Sequence, residues 1–171
     1  MSLFVAFLLL AQAAPPGGGG PIYAHPLSQF LDAFERVCVA NQGSPERQVA
    51  ASHSQGFSPV VGHPSSYARQ SVSVSIRRQG DRDQCAVSGL VTDRTDLDSV
   101  FPAVSQRFSL GEPQFGTQAG TEIALWGYGP DSPRTIMARA RPETVMAEDG
   151  TTIDGPGHLV LTLSTPKTEA Q

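Results

Sequence analysis

Lysine and asparagine are nearly missing from this 171-residue chain: Lys167 and Asn41 are the sole examples, so positive charge is almost entirely arginine. Charged residues make up only 16%, and the formal net charge is -4. Counterion release on a nucleic acid needs a dense positive face, which this composition does not supply, so nucleic acid is excluded as a general partner. No apolar run reaches the roughly 20 residues that a helix needs to cross a hydrocarbon core of about 30 Å, and no stable membrane span is expected. Cysteine is limited to Cys38 and Cys85. They form no Cys-x-x-Cys pair, and two isolated thiols make at best half a zinc site.

The chemistry of reactive sites is equally thin. The four histidines, His25, His53, His63 and His158, never fall within four residues of one another, so no helical metal pair exists and neither metal nor cofactor is expected. Asp93, Asp96 and Asp98 lack the alternation and the distal glutamate of a calcium loop, and fit the start of a helix instead. Gly-x-Ser-x-Gly and Ser-x-x-Lys are absent, and Cys38 lies on an apolar stripe that stabilises a thiolate poorly. No catalytic residue is assigned.

What the chain does contain begins with MSLFVAFLLL, an apolar run of secretory h-region length, followed by the small-x-small pattern Ala11-Gln12-Ala13. This predicts a signal peptide over 1–13, although no Lys or Arg precedes the run. A buried N-terminal strand or helix is the competing reading. Residues 14–25 are rich in proline and glycine and read as a flexible linker. One domain is expected over 26–165, with a disordered tail over 166–171. In an exported chain an even cysteine count favours a Cys38–Cys85 disulfide, and the expected location is periplasmic or secreted.

Leu27, Phe30, Leu31, Phe34, Val37 and Cys38 recur at helical spacing and predict a helix over 26–41. Ser44-Pro45-Glu46 opens a second helix ending near Gly56. Ser71–Arg78 alternates valine and isoleucine with serine, Gln84–Val91 follows a polar turn, and the two predict a hairpin. A third helix is expected over 98–109. Further strands are expected over Thr121–Tyr128, Arg134–Arg141 and His158–Ser164. The order α-α-β-β-α-β-β-β predicts an α+β fold, an antiparallel sheet of about five strands with helices packed on one face.

Arg77, Arg139 and Arg141 fall on strands where they form either an anion-binding patch or a solvated sheet face. Trp126 and Tyr128 share one side of their strand. These five residues are the candidate binding surface. The expected function is a non-catalytic, exported bacterial cell-envelope domain that binds a protein or a small ligand of the envelope. The competing reading is a small secreted hydrolase with His158 or His63 as base and an acidic loop residue as its partner.

Overall fold

The computed structural model describes residues 24–92, 94–127, 132–142, 144–146, 152–154 and 157–167. The leader expected over 1–13, the linker as far as residue 23 and the tail from residue 168 lie outside these residues. Ala24–His25, at the end of the expected linker, already form a short strand, β1.

Helix α1 spans Leu27–Ala33 and runs directly into a π-helical segment, Phe34–Val39, where the regular helix expected to residue 41 widens. The Ala40 N–H donates to the Glu35 carbonyl, five residues back, at 2.8 Å. Phe34, Val37 and Cys38 of this segment are all buried. At the other end the Leu27 N–H donates to Asp96 Oδ2 at 2.9 Å, so Asp96 caps a helix distant in sequence. Helix α2, Pro45–Ser54, has Ser44 as its N-cap, accepting from the Arg47 N–H at 3.4 Å. Two short helices follow later, α3 (Arg94–Asp98) and α4 (Val100–Arg107). Arg107 of α4 bonds Asp32 at 2.8 Å and also Glu35, tying α4 to the first helical segment; the Glu35 bond raises the guanidinium pKa above its ordinary value.

The strands are β2 (Ser58–Val60), β3 (His63–Arg69), β4 (Val72–Gln79), β5 (Arg82–Val91), β6 (Gln114–Gln118), β7 (Thr121–Trp126) and β8 (Thr135–Arg141). A small separate hairpin, β9 (Thr144–Met146) with β10 (Thr152–Asp154), precedes the long β11 (Gly157–Pro166). The main sheet has nine strands, in the order β2-β3-β4-β5-β11-β8-β7-β6. β1 pairs in parallel with Leu90 and Val91 of β5, beyond the point where β4 stops. Two antiparallel meanders, β2 to β5 and β6 to β8, are thus joined through β11, which is pinned along its length by β5 on one side and by β8 on the other.

This corrects the expected α+β arrangement of about five strands with helices packed on one face. The five strands foreseen are the central ones, β4, β5, β7, β8 and β11, and the sheet continues past them through β1, β2, β3 and β6. The added strands carry little or no buried alternation: every residue of β6 is exposed, and β3 buries only Tyr67. The helices cover only the middle of the side they lie on. Glu122 of β7 and Phe115 and Thr117 of β6 fall on that same side by register and are exposed.

Under that partial cover, Val74, Val87, Leu161 and Ala138 line up across four strands, each wholly buried. Phe30, Phe34 and Val37 meet them from the helices. Each large side chain removed from water contributes about 1.5–3 kcal/mol. Gly89 of β5 leaves room for the Phe30 ring: a Cβ there would stand 2.9 Å from Phe30 Cε1 and 2.7 Å from the Ser71 carbonyl oxygen. Cys38 and Cys85 form a disulfide, with Cα atoms 5.5 Å apart and neither residue exposed, so the π segment is joined covalently to β5. Near it Asp83, itself buried, accepts from Arg78 Nε at 2.9 Å, which raises the Arg78 pKa.

Candidate functional site

β8 reads TIMARAR, and its period of two separates two chemistries. Ile136, Ala138 and Ala140 are buried beneath the helices, where the small alanines admit α4. Thr135, Met137, Arg139 and Arg141 therefore face the opposite side of the sheet. The hairpin before β8 is held by the Thr135 hydroxyl, donating to the Gly127 carbonyl at 3.0 Å, and by the Ser132 hydroxyl, donating to the Arg134 carbonyl at 2.7 Å.

On this side, which no helix among the described residues covers, Arg141 stands directly opposite His158 of β11, and Arg139 is flanked by Val160 on one neighbour and Ile123 on the other. These residues, with Gln118, Ala119 and Thr121, line a groove of about 440 Å³. Ala119 and Gly120, with φ of 49° and 74°, make the two-residue turn that brings Gln118 back beside Thr121 and closes one end of the groove. Arg139 and Arg141 are exposed, two residues apart on one strand, so their stems rise about 6.6 Å from each other. The Arg139 guanidinium fork, with Arg141 and the His158 imidazole beside it and Ile123 and Val160 as a floor, suits an oxyanion attached to an apolar body.

The same side continues to a second groove of about 270 Å³, lined by Arg82, Gln84, Leu125, Thr135, Met137, Thr162 and Ser164. Arg82 is committed here to structure: Nε donates to Ser164 Oγ at 2.8 Å and Nη2 to the Ser164 carbonyl at 3.0 Å.

The five residues expected to form a binding surface are divided. Arg139 and Arg141 come together in the groove. Arg77 lies on the same side but far off, with Nε donating to Gln84 Oε1 at 3.3 Å. Three strand spacings and four residues separate it from Arg139, about 14 Å across the sheet and about 13 Å along it. Trp126 is on the helix-covered side, only 3% exposed, with its indole N–H donating to Ser105 Oγ at 3.0 Å. Burial under α4 removes it from the arginine surface. Tyr128 lies outside the described residues.

His158 joins the groove as a third basic group. Its parity with Val160 is readable from HLVLTLS, but its place opposite Arg141 depends on a strand order that the sequence does not encode locally. Neither His158 nor His63 is hydrogen-bonded to a carboxylate among the described residues, and His63 sits exposed on β3, well away from the groove. Among the described residues no cluster of three His, Cys, Asp or Glu side chains is arranged to hold a metal ion. Nor is any helix there long and apolar enough to cross a membrane. Comparison with family models, curated proteins and solved structures returns no match for the chain.

Proposed function

We propose that this chain is a non-catalytic binding domain of the cell envelope or the secreted fraction, and that it takes an anionic ligand with an apolar portion into the groove at Arg139, Arg141 and His158. The observation that carries this reading is the convergence of Arg139, Arg141 and His158 from two paired strands on one cavity whose floor is Ile123 and Val160. Each charge-assisted hydrogen bond to an oxyanion contributes about 1.5–3 kcal/mol. Arg139, exposed and flanked by Ile123 and Val160, is the arginine on which the reading chiefly rests.

The buried Cys38–Cys85 disulfide supports the compartment, because such bridges persist where the surroundings are oxidising. Export predicts a mature chain that starts near Ala14 or Pro15 and weighs two hydrogens less than its reduced form. Full-length protein with two alkylatable thiols in the cytoplasm would remove that part of the reading.

The binding part is tested by titrating the protein with a medium-chain fatty carboxylate and, separately, with inorganic phosphate, following backbone amide shifts. Carboxylate-induced shifts confined to β7, β8 and β11 are expected. Affinity should fall by about tenfold or more in Arg139→Ala, in line with the loss of one charge-assisted bond. Phosphate alone should bind more weakly, lacking contact with Ile123 and Val160. Shifts spread elsewhere, or an Arg139→Ala/Arg141→Ala protein that binds as well as the parent, would refute the assignment.

A further inference from the structure

The main sheet has two outer edges, and they are unlike. β2 is three residues long, contains Pro59 and shifts register between Pro59 and Val60, all of which discourage a further strand from pairing. β6 reads Gln-Phe-Gly-Thr-Gln, with no charge, no proline and no bulge in its register with β7, and all five residues are exposed. Phe115 is 70% exposed. An edge so plain is a template for pairing with another chain.

The two-residue turn at Ala119-Gly120 fixes which groups of β6 are available. In such a hairpin the flanking residues Gln118 and Thr121 form a hydrogen-bonded pair, and the ladder alternates from there. Gln114, Gly116 and Gln118 therefore direct their N–H and C=O groups toward β7. Phe115 and Thr117 direct theirs outward. These outward groups are spaced evenly about Gly116, so an antiparallel copy of β6 centred on Gly116 places Phe115 of one chain opposite Thr117 of the other, twice, and satisfies all four donors and acceptors.

We propose that β6 pairs with β6 of a second copy of this chain, making one continuous sheet across a two-fold axis at Gly116. A two-fold axis brings identical side chains together, so a charged edge would repel itself. β6 carries no charge, and Gly116 has open space where a side chain would begin. Pairing also brings both exposed Phe115 rings beside the axis on the same side of the joined sheet. There each already meets Phe101 edge-on, with centroids 5.8 Å apart, beside a groove of about 410 Å³ also lined by Thr117 and Glu122. On the other side, Gln114 of one chain comes beside Gln118 at the end of the other chain's basic groove. The pairing does not depend on what that groove binds.

The test is sedimentation of the full, oxidised chain over a dilution series, with three variants. The parent should reach twice the 18.1 kDa chain mass. Thr117→Pro deletes an outward N–H that the pairing with β7 does not use, and Phe115→Lys puts a charge on the edge. Both should sediment as single chains with unchanged near-ultraviolet circular dichroism. Gly116→Cys tests the register, because facing residues in a non-hydrogen-bonded pair have Cα atoms about 4.5 Å apart, within the roughly 4.4–6.8 Å of a disulfide. Mild oxidation should link it to a second copy, and adding Thr117→Pro should abolish the link. A single-chain mass for the parent at every concentration overturns the proposal. So does a dimer that survives Phe115→Lys, a variant whose exposed site keeps the test valid if Thr117→Pro fails to fold.

Discussion

Removing the cross-link between Cys38 and Cys85 is the perturbation whose size follows most directly from the structure. The bridge closes a loop with a sequence separation of 47. In the chain-entropy model such a loop restricts the unfolded chain by about 4 kcal/mol at 25 °C. A single domain is stable by about 5–15 kcal/mol in total, so this is a large share. In Cys38→Ala/Cys85→Ala the packing of two fully buried sulfurs is lost as well, with the same sign. At about 2–4 °C per kcal/mol for a chain of this size, Tm should fall by about 8–16 °C. Urea unfolding of the two proteins side by side is the assay. The variant should show a lower midpoint and a somewhat larger m-value, because its unlinked unfolded state exposes more surface. A loss within the roughly 0.5 kcal/mol of an ordinary surface substitution would refute the reasoning. The intact protein should also resist reduction by dithiothreitol until denaturant is added, since neither sulfur is exposed.

Gly89→Ala should destabilise the domain by about 1–3 kcal/mol, because the new methyl meets the Ser71 carbonyl and the Phe30 ring and one of them must move; chemical denaturation measures it, and pairing the change with Phe30→Leu should recover part of the loss. Trp126, the only tryptophan, should emit at short wavelength in the native protein and shift red on unfolding. Its emission should stay constant while the groove fills, since the indole lies on the opposite side of the sheet.

Where burial imposes a period, the sequence was readable. The stripe from Leu27 to Cys38, the alternation of Val72, Val74 and Ile76, and the serines between them announced a helix and a central strand. β6 and β3 carry no such signal, because neither places more than one side chain in the core, and with β1 and β2 they are the four strands of the main sheet that the sequence pattern leaves out. For the candidate site, the spacing of Arg139 and Arg141 put them on one side of a strand. Which side would be covered was not encoded within β7: Ala124 and Trp126 on one side and Ile123 and Leu125 on the other are both apolar. The position of α4, with Ser105 meeting the indole, decides the matter, and that contact joins residues 21 apart in sequence. His158 entered the groove for a similar reason, through strand pairing with a partner made earlier in the chain.

β11 is the last strand of the sheet to be synthesised and lies in its middle. Until residues 157–166 leave the ribosome, the two meanders have no ladder between them, and β5 and β8 each present a bare flank. Closing the sheet therefore couples its final segment to strands made long before. Stalling translation before Gly157 should leave a protease-sensitive chain, however complete its first meander.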